Sequence, residues 1–560
     1  MKSTYYANLD RQIMILNYSS YFPNNVYDLI NSSGFETATE MFLNSKKSSS
    51  NVLPCESLMA GEYISILKKV LSNDNTVFEK YRKDDLLASI ESFYTFYRTM
   101  LRISVLEFHE GDEIIQRHFK EIDHVFNEVV RALYRSIGEK LQGHENRIIR
   151  QMASGTNAAI LVKEINWKVP SKYECLSEVK FINRLMLRPP VMLHTKSNKR
   201  RGLFTEAQNN PISRFPEDAD QWYCYPAKIG ESLAFIYFHA DYFVSGLALA
   251  NLFELAETAD IENKRPDIVL LFGLHETEKE KCNYFYDKEN DIWVGEVPYN
   301  DQTTYFGYMK KMCLTLHNLR QIQHGKLPIH GSMVRIKFTD GREKNVVFFG
   351  DSGAGKSESL EALKNVADDK IVSLETIFDD MGSFAIDDEN QVYAQGTEVG
   401  AFVRLDDLSS EVTFNNMDRG IYLNAEKSNA RVIIPTDEYS RVVKHHSIDM
   451  WVYANNYTDK VGVHRFDDLE EAKKTFISGK RIALGTTDEV GMTTTFFANP
   501  FGPVQKEEET RPIIDKVFDN LFKNGVYVGE IYTHLGTDKS KQAIEKSASA
   551  LLDVLLSDND

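Results

Sequence analysis

Apolar residues recur at helical spacing through the N-terminal third of the chain. Between residues 122 and 141 they lie three or four positions apart, on one face of a helix: Ile122, Val125, Phe126, Val129, Val130, Leu133, Ile137 and Leu141. Residues 63–71 and 86–105 show similar spacing, whereas the serine-rich stretch 44–51 is typical of an exposed loop. We therefore predict a mainly α-helical domain over residues 1–185. Because this region contains no catalytic motif, we interpret it as an accessory domain that could engage a protein partner.

The pattern changes after Arg188, where Pro189 and Pro190 end any helix. Short runs of β-branched and aromatic residues follow, at 191–194, 235–238, 268–272 and 292–297. Such runs favour strands interleaved with loops. They predict a second unit over residues 186–335.

From residue 333 to residue 504 the pattern becomes strand–loop–helix, which is typical of an α/β nucleotide-binding core. Helical spacing returns at residues 513–521 and 542–556. We predict a third unit over residues 336–560 and an α/β fold class for the chain, preceded by the helical domain.

The most informative segment lies between residues 345 and 360 and reads NVVFFGDSGAGKSESL. An apolar run at 346–349 predicts a buried strand, and residues 358–365 have helical character. The loop between them fits the pattern G-x-x-x-x-G-K-[ST], whose glycines let backbone N–H groups approach phosphate oxygens. The pattern predicts a nucleoside triphosphate bound by Gly350, Asp351, Ser352, Gly353, Ala354, Gly355, Lys356 and Ser357. In this motif the lysine holds the β- and γ-phosphates and the hydroxyl of Ser357 binds Mg²⁺.

A second apolar run ends in two acids, Asp379 and Asp380. A carboxylate at the carboxyl end of a strand occupies the position of a metal ligand in phosphate-loop proteins. An Asp-Asp pair is also common in turns and helix caps, but the preceding phosphate loop favours the metal-ligand interpretation.

Composition and charge narrow the function classes. The chain has 560 residues with 65 Lys+Arg and 82 Asp+Glu, a formal charge of −17, so we expect no general nucleic-acid binding. Its five cysteines form no CxxC pair, which favours reduced thiols in a cytoplasmic protein. Near the N-terminus, Asp10 and Arg11 interrupt the apolar core that a signal peptide needs. No run approaches 18 apolar residues, so we expect no membrane partner.

Residues 350–358, GDSGAGKSE, closely resemble the loop of HPr kinase/phosphorylase. That family shares its nucleotide core with ATP-dependent phosphoenolpyruvate carboxykinase, which the wider sequence resembles from about residue 300 to 556. His330 lies nineteen residues beyond Lys311, as the family's metal-site histidine follows its lysine pair. The blocks that resemble the carboxykinase, in the family's order, are residues 305–311, 330–332, 350–358, 379–380, 400–409, 429–435, 485–487 and 495–501.

The resemblance implies a role for each matching residue. Lys311, His330 and Asp380 would bind a transition metal, typically Mn²⁺ in this family. Lysine binds a metal only as a neutral amine, so the metal and the neighbouring Lys310 would lower its pKa. The nucleotide would be ATP with Mg²⁺, held by Lys356 and Ser357. The resemblance also implies that Arg404 neutralises phosphate charge and that Arg431 stabilises the transferring phosphoryl group. Ser352 and Tyr305 would line the side of the site that binds the small anionic substrate and CO₂.

The family's substrate-carboxylate arginine has no clean match. The nearest segment is residues 194–202, HTKSNKRRG, and a lysine does not replace a bidentate arginine. Three functions therefore stay open. The first is decarboxylation and phosphorylation of oxaloacetate. The second is a kinase of the HPr kinase type, with Asp379 or Asp380 as the base. The third is a nucleotide-binding regulatory protein whose N-terminal domain engages a partner.

Overall fold

The computed structural model describes residues 5–19, 22–108, 113–216, 219–405, 416–484, 490–537 and 541–557. Large mixed sheets and helices share these residues, so the chain has the α/β class that the sequence predicts. The described α-helices span Val26–Ile30, Ser33–Lys46, Ala60–Leu71, Lys83–Thr99, Glu113–Gln142, Phe243–Ala248, Thr258–Ile261, Gly307–Gln323, Lys356–Ala367, Tyr439–Val442, Leu469–Ser478, Glu507–Lys523 and Lys541–Leu556. None of the helices in these ranges is long and apolar enough to cross a membrane.

The first sheet has twelve strands within the described ranges. Its order is Tyr5–Asn8, Ile13–Asn17, Leu101–Phe108, Ala158–Lys163, Lys180–Leu187, Trp222–Ile229, Ser232–His239, Ile268–Leu274, Ile292–Pro298, Asn283–Asp287 and Thr205–Glu206, with Glu254–Leu255 paired to Trp222–Ile229. The strands predicted at 235–238, 268–272 and 292–297 are confirmed as parts of this sheet.

The N-terminal residues combine helices with strands of this sheet. The prediction that residues 86–105 form one helix is wrong at its end, because the helix Lys83–Thr99 is followed by the strand Leu101–Phe108. That strand lies parallel between Ile13–Asn17 and Ala158–Lys163, and sheet pairing there overrides the helical spacing. The strand Lys180–Leu187 continues the sheet across residue 185, where the sequence suggested a boundary between units.

The second sheet carries the glycine-rich loop. Its order is His446–Ser447, Val392–Gly396, Met381–Ile386, Leu327–Phe338, Glu343–Phe349, Met450–Asn455, Tyr527–Tyr532 and Val463–Arg465, with Ile371–Phe378 paired to Leu327–Phe338. Glu343–Phe349 is parallel to Met450–Asn455, which is parallel to Tyr527–Tyr532. The carboxyl ends of these three strands therefore meet at one edge of the sheet, where α/β proteins place their sites.

Two further pieces complete the surroundings of this edge. The buried helix Gly307–Gln323 contacts Ile292–Pro298 of the first sheet and Leu327–Phe338 of the second, so it lies between them. A four-stranded sheet has the order Gly400–Arg404, Arg431–Pro435, Ile421–Leu423 and Val191–Leu193. Lys480–Leu484 pairs with Val490–Thr494 in a separate two-stranded ladder.

Candidate functional site

The glycine-rich loop joins the buried strand Glu343–Phe349 to the helix Lys356–Ala367, as the sequence predicts. Gly355 has a φ of +101°, and a Cβ added there would lie 2.6 Å from Cβ of Thr533. Both the conformation and the close approach require glycine at this position. The loop therefore contacts Thr533 at the end of Tyr527–Tyr532, the next strand but one in the sheet, and the Thr533 hydroxyl donates to the Ala354 carbonyl at 2.8 Å.

Lys356 turns back over the loop. Its Nζ donates to the carbonyls of Gly350, at 2.7 Å, and Asp351, at 3.3 Å. Burial lowers the pKa of Lys356 below its ordinary value, although nearby carboxylates act in the opposite direction. Ser352 and Ser357 are exposed beside it. The loop thus presents one ammonium group and two accessible hydroxyls at the start of a helix, a combination that suits an anion.

Asp351 is a buried carboxylate whose hydrogen bonds stabilise the loop. Its oxygens accept hydrogen bonds from the Ser352 amide at 2.7 Å and from Nε of Arg481 at 3.0 Å. Burial alone would raise the pKa of Asp351, but His330 and Arg481 hold it below its ordinary value. The sequence reasoning missed Arg481, because a lone arginine 130 positions along the chain carries no local signal.

Asp380 brings the predicted metal ligands together. The Nζ atoms of Lys310 and Lys311 lie 2.7 and 2.6 Å from the same oxygen, Oδ2, and Nε2 of His330 lies 3.2 Å from Oδ1. Two lysine neighbours on one helix reach this carboxylate because Asp380 directly precedes the strand Met381–Ile386, which pairs beside His330. Burial alone would raise the pKa of Asp380, but the two lysines hold it well below its ordinary value.

The tautomer of His330 follows from its other neighbour. Its Nδ1 lies 2.8 Å from the carbonyl oxygen of Ala498, which only accepts hydrogen bonds, so Nδ1 carries the hydrogen. In a neutral ring Nε2 then presents a lone pair toward Oδ1 of Asp380, 3.2 Å away, whereas in a protonated ring Nε2 donates a hydrogen bond to that oxygen. A backbone carbonyl on one nitrogen and an open lone pair on the other is the arrangement found in metal-binding histidines.

The two lysines differ in their environment. Lys310 is fully buried and also contacts Glu398, with Nζ 2.9 Å from Oε1. Burial alone would lower the pKa of Lys310, but its two carboxylate partners raise it above its ordinary value. For Lys311 burial prevails and the pKa is lowered, with Lys310 adding to the effect and Asp380 opposing it. Burial raises the pKa of Glu398 to about 7.

The contacts around Asp380 can be compared with the ligand spacing of a hexacoordinate divalent cation. Ligand atoms on adjacent corners of such an ion lie about 3 Å apart, given bonds of about 2.1 Å. Nζ of Lys311 lies 2.6 Å from Oδ2 of Asp380 and Nε2 of His330 lies 3.2 Å from Oδ1; both distances are near that spacing and are also those of ordinary ion pairs. Over the described ranges no group of three or more His, Cys, Asp or Glu side chains could hold a metal, so a site here depends on lysine as a ligand.

Asp379 lies next to this cluster and behaves differently from Asp380. Burial, and then the negative charge of Asp380, raise its pKa above its ordinary value, while Lys310 and Lys356 oppose the rise. A carboxylate with a raised pKa, near the lysine of the loop, has the properties of a proton acceptor.

Arginines from the four-stranded sheet face the same region. Arg404 and Arg431 are directly opposite each other in the antiparallel ladder, so both side chains leave the same face. The Cζ of Arg431 lies 5.5 Å from the centroid of the Phe402 ring, and Nζ of Lys310 lies 5.6 Å from it. Burial raises the pKa of Tyr305, whereas Arg431 and Lys310 oppose that rise. Arg431 and Lys310 therefore both lie beside the rings of Phe402 and Tyr305.

A further arginine enters from the basic segment 194–202. The Cζ of Arg200 lies 5.1 Å from the centroid of Phe501, and Nζ of Lys311 lies 4.6 Å from the same centroid. Lys196 takes another direction and pairs with Asp10 at 2.6 Å. The sequence pointed to this segment but did not single out Arg200, because only the fold shows which of its basic residues faces the cluster.

Two blocks of the sequence comparison lie partly or wholly outside the described residues: 406–409 and 485–487. Comparison with known proteins adds no family, since no protein-family model matches the chain and no curated protein matches it.

Proposed function

We propose that the chain is an ATP-dependent phosphoryl-transfer enzyme resembling phosphoenolpyruvate carboxykinase, which converts oxaloacetate and ATP to phosphoenolpyruvate, ADP and CO₂. The observation that carries the proposal is the convergence of Lys310, Lys311 and His330 on Asp380, joined to the glycine-rich loop through Asp351. A metal ion held by such a group of side chains would supply a Lewis acid for phosphoryl transfer.

In this proposal the loop binds the ATP phosphates. Lys356 would leave the carbonyls that it contacts, at 2.7 and 3.3 Å, and donate to the β- and γ-phosphates. The accessible hydroxyl of Ser357 would bind Mg²⁺. Asp351 and Arg481 would keep the loop in shape without touching the nucleotide.

Lys311, His330 and Asp380 would hold Mn²⁺, which supplies a Lewis acid at the developing enolate. The lowered pKa of Lys311 favours the neutral amine that metal binding requires. Lys310 stays cationic between Asp380 and Glu398 and adds positive charge where the substrate loses CO₂.

Three arginines would bind the anionic substrate and the transferring phosphoryl group. Arg200 is positioned over Phe501 to grip a substrate carboxylate, as the guanidinium fork favours two parallel hydrogen bonds. Arg404 and Arg431 would neutralise phosphate oxygens from the neighbouring sheet, and Tyr305 would line the CO₂ side.

A kinase acting on a protein or small-molecule hydroxyl is the second candidate. The raised pKa of Asp379 favours it, because a carboxylate with that property close to Lys356 can accept the proton of an attacking hydroxyl. A carboxykinase has no hydroxyl to deprotonate. The candidates therefore differ in what Asp379→Asn does: it should abolish kinase turnover but leave most carboxykinase turnover.

The test is a coupled assay of phosphoenolpyruvate formation from oxaloacetate, ATP, Mg²⁺ and Mn²⁺. We expect product with the native chain and a loss of ATP affinity of roughly 10- to 100-fold in Lys356→Ala, from loss of charged hydrogen bonds. Lys364→Ala, at the other end of the same helix, is the matched control. ATP binding without product would move the function to the kinase or to a nucleotide-binding regulator; no ATP binding would reject all three.

A further inference from the structure

The N-terminal part of the chain contains an apolar cavity that the proposed chemistry does not use. Its volume is about 160 Å³, and part of it is open to solvent. The floor is the strand Ile13–Asn17, and the walls come from the helices Ser33–Lys46, Lys83–Thr99 and Glu113–Gln142. Protein cores are close-packed, so a space of this size among buried side chains is unusual.

The lining defines the chemistry of a ligand. Aliphatic and aromatic side chains dominate it, including Leu16, Ala38, Ile90, Phe93, Leu133 and Ile137. None of the lining residues that the structure describes is charged.

The polar lining residues are largely engaged elsewhere. The hydroxyl of Tyr97 donates to the Gly155 carbonyl at 3.0 Å, and that of Tyr134 donates to Glu91 at 2.7 Å. Ser32 serves as the N-cap of its helix and accepts from the Phe35 amide. Tyr97 and Tyr134 therefore offer the cavity their ring carbons rather than their hydroxyl groups.

We propose that this cavity binds a compact, uncharged, apolar ligand of the size of one aromatic ring. An enclosed apolar cavity of roughly 150 Å³ with aliphatic and aromatic walls binds one benzene molecule, and this partly open cavity matches it in volume and lining. A charged ring of the same size would lose its hydration without gaining a partner. The site is separate from the nucleotide loop and does not rest on the proposed function.

The test uses the full chain with ¹³C-labelled isoleucine methyl groups and toluene as the probe. We expect chemical-shift changes at Ile90 and Ile137, which line the cavity, and none at Ile329 in the second sheet. Benzoate should bind at least about tenfold more weakly, because its carboxylate finds no partner. Lys356→Ala should bind toluene like the native chain.

Ala38→Leu fills the cavity and should weaken toluene binding at least about tenfold. Ala88→Leu, the same change at an exposed position of the helix Lys83–Thr99, should leave binding within about twofold. If Ala38→Leu does not fold, Leu133→Phe fills the cavity from another wall. Absence of shifts in the native chain, or unchanged binding in a folded filled variant, overturns the proposal.

Discussion

The Nε2 atom of His330 lies 3.2 Å from Oδ1 of Asp380, while the other oxygen of that carboxylate receives both lysines. Because Nδ1 donates to the Ala498 carbonyl, a neutral His330 directs a lone pair at a carboxylate oxygen. Two acceptors this close repel each other unless a proton or a cation lies between or beside them. Either a proton on Nε2 or a metal cation therefore relieves this repulsion, and the proposed divalent ion would take the place of that proton.

Replacing His330 by alanine should weaken Mn²⁺ binding by about 100-fold or more, since loss of an outer-sphere partner alone costs 10- to 100-fold. Binding of Mg²⁺–ATP should change much less, because Lys356 and Ser357 remain. Electron paramagnetic resonance titration measures the affinity for Mn²⁺, and calorimetry measures the affinity for Mg²⁺–ATP. His324→Ala, at an exposed histidine, is the control. Equal losses for both ligands would contradict a metal role for His330.

Glu398 should make stability depend on pH. Burial raises its pKa from 4.5 to about 7, so the folded chain binds a proton more tightly than the unfolded chain does. Its contribution to stability is then complete below about pH 4.5 and is lost as the pH rises through about 7. Relative to Glu398→Gln, the free energy of unfolding of the native chain should fall by about 3 kcal/mol across that range.

Urea unfolding of both chains between pH 4.5 and pH 8 measures this difference. Glu389→Gln, at an exposed glutamate, should run parallel to the native chain at every pH. A pH-independent difference between the native chain and Glu398→Gln would mean that Lys310 keeps Glu398 ionised throughout.

Patterns among neighbouring residues were sufficient to predict the glycine-rich loop and the strand and helix on either side of it. The strand, the loop and the helix that begins at Lys356 follow from an apolar run, glycines and helical spacing that are adjacent in sequence. Leu101–Phe108 was missed because its helical spacing is overridden by two strands that are distant in sequence, Ile13–Asn17 and Ala158–Lys163. Register between distant strands is a tertiary property, and no window of neighbouring residues contains it.

The residues of the candidate site likewise fall into two groups, those that the sequence identifies and those that only the fold reveals. Lys310, Lys311, His330 and Asp380 could be named because each lies in a block of recognisable order. Glu398 and Arg481 could not, because they act on Lys310 and Asp351 only after the sheets have brought them together.

Arg200 should control affinity for a carboxylate substrate. Arg200→Lys keeps the charge but loses the planar fork, so KM for oxaloacetate should rise roughly 10- to 100-fold, which corresponds to about 1.5–3 kcal/mol for charged hydrogen bonds. The KM for ATP should stay within about twofold. Steady-state kinetics of the two substrates tests this, with Lys199→Ala in the same segment as the control. An increase in KM for ATP alone would assign Arg200 to the nucleotide.

Arg431 should matter for turnover more than for binding. It lies opposite Arg404 on one face of the small sheet and stacks over Phe402, with Lys310 at the same ring. A cation held in this way is positioned for charge that develops as the phosphoryl group moves, and removing such a donor lowers kcat by about 10²- to 10³-fold. Arg431→Ala should show that loss while the Kd for ATP stays within about threefold.

Arg419→Ala, exposed beside the same sheet, should retain native turnover. Stopped-flow measurement of a single turnover, beside equilibrium ATP binding, separates the two quantities. A loss confined to ATP affinity would place Arg431 among the residues that hold the nucleotide in its ground state, and would leave Lys310 and Lys356 to stabilise the transferring group.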